Sequence, residues 1–161
     1  YSEALAEMAI PNHLPTGKWR GIAGNGRIAL VSRADCVDCA AAVLTGAGHE
    51  NKAYHITGPE LLSFRDVAIM TAEISRRPLE YVEISDEEMY AFYDSLGVPR
   101  AASENPNAEV IPWCSDDMVS FEQAIRGGYF AILTEDVRKL TGHPPRPMRD
   151  ILMAHRHLYK V

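Results

Sequence analysis

No apolar run in the sequence approaches the ~18 residues that a bilayer-spanning helix needs, and nothing at its start reads as a secretory leader. Cysteine is scarce. Three in 161 residues are an odd number and too few for a disulfide framework, so a reducing, cytoplasmic setting is expected, with no membrane partner. Clustered basic charge is also missing. A formal net charge of -6 argues against nucleic acid, because affinity for it comes largely from Lys and Arg neutralising phosphates. Arg146, Arg149, Arg156 and Lys160 are interleaved with apolar residues and read as the wet face of a last helix. Internal repeats and low-complexity tracts are absent. So is an initiator methionine: the chain begins at Tyr1, and the expectation is a processed product or a segment of something longer.

What is present is the composition of an ordinary globular domain, 47% hydrophobic and 24% charged, long enough to bury roughly two thirds of its unfolded surface. Helix starts are legible. Ser32 to Asp35, Ser63 to Asp66 and Ser85 to Glu88 each place a cap hydroxyl three residues before an acid, the capping-box pattern or its Asp variant. Between them run short β-rich stretches, Arg27 to Val31, Ala53 to Thr57 and Leu79 to Ile84. The alternation predicts an α/β layered fold. A short helix, Ser2 to Ile10, precedes this, ended by Pro11 and followed by a Pro/Gly loop through Gly26. Gly97 to Pro112 reads as a long loop of the kind that often forms a lid. Beyond it, helices are expected over Ser115 to Arg126, Thr134 to Leu140 and Met148 to Tyr159.

Four groups of residues are candidates for chemistry. Cys36 and Cys39 form a CxxC, but with Ser32 as the cap Cys36 falls about four residues into the helix behind Asp35, whose charge discourages a thiolate. An apolar stripe with Val37, Ala41 and Leu44 makes small buried hydrophobes the expected role. A zinc site lacks a recognisable second half, so no metal is expected. Gly21, Gly24 and Gly26 look superficially like a dinucleotide fingerprint, yet the run is entered by LPTGKWR and left by a strand, so it reads as a turn. No Tyr-x-x-x-Lys pair occurs, and the histidines are scattered: His49 and His55 beside a strand, His143 in a turn, His155 and His157 in the last helix. None stands out as a general base. Trp113, Phe121, Tyr129 and Phe130 follow the long loop and Tyr90, Phe92 and Tyr93 precede it; core packing is the simple reading, and a flat apolar ligand the alternative.

YSEAL at the start, GNGRIALVSRADCVDCAAAVLT in the middle, GHENKAYHITGPELLSFRDVA after it and VRKLTGHPP near the end together resemble the C-terminal half of an NmrA-like atypical short-chain dehydrogenase/reductase, of the quinone oxidoreductase and triphenylmethane reductase type. The likeness extends over essentially all 161 residues, most weakly from Gly97 to Trp113. It implies a Rossmann-like fold whose N-terminal dinucleotide-binding half is absent, residues 1–161 being the C-terminal substrate-binding portion with its small cap. Ser32, Arg33 and Asp35 would then form a strand-to-helix junction, Arg33 and Asp35 holding neighbouring loops by charge.

The implied activity is hydride transfer from NADP or NAD in reduced form, bound mainly by the N-terminal half, to a quinone-like or other flat electron-poor acceptor. Tyr1 would lie at the nicotinamide end of the cleft and count among both cofactor- and substrate-binding residues, with Trp113, Phe121 and Tyr129 shaping the acceptor pocket. Quinone protonation can come from water, so no catalytic residue is named. The implied partners are a small-molecule acceptor, the N-terminal half of the same protein and, as one option, a second copy in a homodimer. The alternative is a non-catalytic NADP-sensing regulator.

Overall fold

In the computed structural model, residues 1–102 and 114–159 are described. The first helical stretch runs as α1 (Ser2–Ala4), a π turn (Leu5–Ala9) and α2 (Ile10–His13). It continues through Pro11, where a stop was expected. The π turn explains this: the Ile10 N–H reaches back five residues to Leu5 O, so Pro11 begins a fresh turn at a position whose N–H needs no helical partner.

The only strands among the described residues are β1 (Lys18–Gly21) and β2 (Glu80–Glu83), paired in parallel with Trp19 opposite Tyr81. β2 matches the expectation for Leu79 to Ile84. β1 lies in what reads locally as a Pro/Gly loop, because its partner is some sixty residues away and leaves no mark on the text around it.

The helices are α3 (Arg33–Thr45), α4 (Phe64–Ser75), α5 (Asp86–Ser95), α6 (Ser115–Arg126), α7 (Asp136–Thr141) and α8 (Met148–Ala154). Ser63 and Ser85 form complete capping boxes with Asp66 and Glu88. Ser32 caps α3 by accepting the Asp35 N–H, but the Asp35 carboxylate is drawn away to Arg146, taking the Arg146 N–H at 2.8 Å and its guanidinium. Glu3 supplies the missing acid, accepting the Arg33 N–H at the positive end of α3.

This pinning fixes the rotation of α3 and corrects one expectation. Asp35 and Cys39 face inward, while Val37 and Leu44 are 65% and 84% exposed. The terminal helix is also shorter than expected. It stops at Ala154, where the His155 ring nitrogen bonds Ile151 O, and a 3-10 turn (Arg156–Tyr159) follows.

The principal core joins the first helical stretch to α4, α8 and the sheet through Ala6, Ile10, Trp19, Phe64, Tyr81 and Leu152. Trp19 stacks on Phe64 at 4.9 Å between ring centroids. A second cluster, built on Ile22, Met89 and Val119, fixes α5 and α6 against the loop after β1. No helix among the described residues is long and apolar enough to cross a membrane.

Two stretches expected as strands, Arg27 to Val31 and Ala53 to Thr57, lie in no helix and make no ladder; the nearest approach is an isolated antiparallel bridge between Ile28 and Leu62. They lie close together. The Gly58 N–H bonds Ala29 O at 3.3 Å, and a side-chain carbon on Gly58 would stand 1.8 Å from Leu30 O. On its far side the second stretch is tied to the segment before α7: His55 N–H donates to Asp136, Thr134 Oγ1 donates to His55 O, and Thr57 Oγ1 accepts the Thr134 N–H at 3.1 Å. The backbone groups of Tyr54 and Ile56 meet no hydrogen-bond partner among the described residues. A parallel strand requires neighbours on its edge, and here that edge is open.

Candidate functional site

These two stretches form the floor of an open cleft of about 400 Å³, within the size range of small-molecule sites. Residues 28–31 and 54–57 make the floor; Tyr1, Phe121, Tyr129, Phe130 and Ile132 make the walls. Three of the four residues named from the sequence, Tyr1, Phe121 and Tyr129, thus come to one place. Trp113 lies outside the described residues, as does most of the loop expected over Gly97 to Pro112. Of the other aromatics, Tyr90, Phe92 and Tyr93 pack beside the second core cluster.

The wall is aromatic because of how α6 ends. Gly128, at φ +80°, takes a left-handed conformation open to glycine, and the chain doubles back so that Tyr129 N–H bonds Ala124 O at 3.0 Å. Phe130 thereby returns to Phe121, with ring centroids 5.2 Å apart.

The opposite face of α6 is bolted down. Glu122 is buried and its Oε2 accepts the N–H groups of Ile22, at 2.6 Å, and Ala23, at 3.1 Å. Arg126 and Gln123 both donate to Asp86 at the start of α5. Burial pushes the Glu122 carboxyl above the usual range, against the two N–H donors that pull it down. The same environment, burial first and then the nearby Glu122, holds the Tyr81 hydroxyl up at about 12.

Glu122 also settles what the glycine run does. Backbone amides of the Gly21 to Gly26 loop that could have cradled a phosphate hold this carboxylate instead. Gly26 lies so close to α6 that a side-chain carbon there would meet Ile125 O at 2.3 Å. The chain therefore offers no cradle for a dinucleotide's diphosphate in this loop. The CxxC is equally plain: Cys39 is buried, Cys36 half-buried, and burial raises both thiols, the wrong direction for a nucleophile.

Two features escaped the sequence reading. Glu122 is one; its signal is an acid spaced three residues from Val119 and from Ile125 on the inward face of α6. The other is a side-chain pair between His49 and Tyr54, of which only Tyr54 belongs to the cleft lining. Tyr54 Oη lies 2.7 Å from His49 Nδ1, with the rings edge to face and centroids 5.8 Å apart. No Asp, Glu, Lys, Arg or Cys side chain lines the cleft among the described residues.

No protein-family model matches the chain. Among curated proteins it is 30% identical to quinone oxidoreductase 2 of Escherichia coli over all of its length and 51% of that protein. It is 30% identical to an NAD(P)H azoreductase of Xenophilus azovorans over 82% of the chain and 42% of the relative. The fold of the Escherichia coli NADPH-dependent quinone oxidoreductase, solved with NADPH, superposes with a TM-score of 0.80 at 26% identity, covering 99% of this chain and 51% of the other. A triphenylmethane reductase of Citrobacter gives a TM-score of 0.76 at 25% identity over 92% and 47%. The chain thus spans about half the length of each of these relatives.

Proposed function

From the premise that the chain matches, in sequence and in fold, the C-terminal part of the NmrA-like atypical short-chain dehydrogenase/reductases, we propose that it is the acceptor-binding portion of an NAD(P)H-dependent reductase of quinone-like or other flat, electron-poor molecules. An N-terminal half would complete the molecule and bind most of the dinucleotide. The observation that carries the reading is the cleft: aromatic walls from Tyr1, Phe121 and Tyr129 over a floor without carboxylate or ammonium groups. Such a cavity suits a planar apolar ligand. The open edge at Tyr54 and Ile56 supports the second part, since it has the form of a place for a further strand from that half.

NAD(P)H supplies the hydride when bound. This chain's own residues orient the acceptor, and orientation accounts for most of what such a reaction asks of a protein. Glu122, Gln123 and Arg126 hold α6 so that Phe121 and the returning Tyr129 keep their places. A reducing, cytoplasmic setting fits the three free cysteines.

The test uses the complete protein with NADPH and a benzoquinone, followed at the nicotinamide absorption band. Oxidation above the uncatalysed rate is expected. In the double variant Phe121→Ala and Tyr129→Ala the acceptor KM should rise at least tenfold, a loss of about 1.4 kcal/mol or more, with coenzyme affinity retained. An unchanged acceptor KM would remove these residues from the site. Tight NADPH binding without turnover would replace the reductase by a non-catalytic sensor.

A further inference from the structure

We propose that Gly127 is a positioning residue for the acceptor: the space of its missing side chain is where the ring of Tyr129 lies, and this fixes that ring in the cleft wall. The inference rests on the reductase reading above and deepens it. A side-chain carbon at position 127 would stand 2.8 Å from Tyr129 Cε2 and 3.1 Å from Cδ2, closer than carbon atoms pack. The ring therefore leans on bare backbone at the end of α6. The other two rings of this wall brace each other, Phe121 against Phe130.

The two neighbouring glycines have different tasks. Gly128 serves through its backbone: its φ is +80°, and a side-chain carbon there would meet nothing within 4 Å. Gly127, at φ -74° and ψ -4°, has right-handed backbone that any side chain tolerates, so what its glycine supplies is room. The backbone cannot yield that room cheaply. The N–H groups of Gly127, Gly128 and Tyr129 bond Gln123 O, Ile125 O and Ala124 O at 2.8, 3.0 and 3.0 Å, and Glu122 holds α6 from behind through the Ile22 and Ala23 amides. The party free to move is the Tyr129 ring, 76% accessible. A methyl group at position 127 would displace the ring and leave the fold, so this position governs affinity for the acceptor without touching it.

The test is a double-mutant cycle in the complete protein, with NADPH and a benzoquinone. Gly127→Ala should raise the acceptor KM about three- to tenfold, the range that an aromatic contact commands. Tyr129→Ala should do the same. In the Tyr129→Ala background, Gly127→Ala should change KM by less than about twofold, because the ring it would displace is gone. Denaturant melts of the same four proteins read the contact without turnover. Gly127→Ala should keep the wild-type midpoint, and any loss it does cause, up to failure to fold, should vanish in the Tyr129→Ala background. Three results would overturn the proposal: an unchanged KM in Gly127→Ala beside a raised one in Tyr129→Ala, equal KM increases in both backgrounds, or a loss of stability that persists without the ring. No benzoquinone turnover by wild type, or an unchanged KM in Tyr129→Ala alone, would overturn the reading beneath it first, whatever position 127 does.

Discussion

Glu122 stands between two opposed effects. Removal from water favours its neutral form, and the Ile22 and Ala23 N–H groups favour its ionised form; burial is the larger and the carboxyl is held above the ordinary range. The sign of the consequence follows from linkage. As pH rises, an unfolded chain gives up this proton first, near the usual glutamate value of about 4.3, while the folded chain still holds it. The stability contributed by the protonated form is therefore complete at acid pH and is lost as pH climbs through the raised folded value. A glutamine keeps an oxygen for both N–H groups and never ionises. In denaturant melts of the complete protein, Glu122→Gln should gain on wild type as pH is raised from about 4 to about 8. Parallel profiles for the two proteins would refute this. Glu122→Leu, which strands both amides, should cost about 1–3 kcal/mol. Single residues of this kind were the least legible part of the sequence. Phe121 and Tyr129 could be named because of the resemblance, whereas Glu122 and the His49–Tyr54 pair gain their meaning only from neighbours 100 residues away or across a turn.

At the scale of elements, legibility followed the range of the interactions. Caps are local, and Ser63 and Ser85 stand where their spacing put them. Strand pairing is not local. The text for Arg27 to Val31 and Ala53 to Thr57 is as β-rich as that of β2, yet only β2 finds a parallel neighbour within the described residues. That neighbour came from a segment with no strand signal. The rotation of α3 was misread for a related reason: apolar spacing favoured Val37 and Leu44 inside, but the buried Asp35 and its bond to Arg146 decide which face turns in. A local interaction yields a local prediction. Ser63 Oγ accepts the Asp66 N–H at 3.1 Å and the Asp66 carboxylate takes the Ser63 N–H at 2.9 Å. Ser63→Ala removes the first of these and should lower the unfolding free energy of the complete protein by about 1 kcal/mol. Ser63→Thr, which restores a hydroxyl that can accept from the Asp66 N–H and donate to its carboxylate, should recover most of it. A shift in denaturation midpoint with no recovery in the threonine variant would mean that packing around Phe64, not the cap, had been disturbed.

At the scale of the whole molecule, the features of the cleft and of the exposed surface have one origin in the proposal of an N-terminal half. An open strand edge at Tyr54 and Ile56, an outward apolar face on α3 with Val37 and Leu44, and exposed Tyr129 and Leu133 are surfaces that water covers poorly. The two core clusters give the segment enough buried apolar area for helices and collapse. They give the two unpaired stretches no ladder. Expressed as residues 1–161 alone, the chain should therefore bind a hydrophobic dye, show helical far-ultraviolet dichroism with weak aromatic near-ultraviolet signal, and melt over a broad range. Supplying the proposed half in the same polypeptide should abolish dye binding and sharpen the transition, because the strand edge and the α3 face are then covered together. A sharp two-state melt and no dye binding from the lone segment would show that the open edge costs little, and would remove the edge as support for a missing strand.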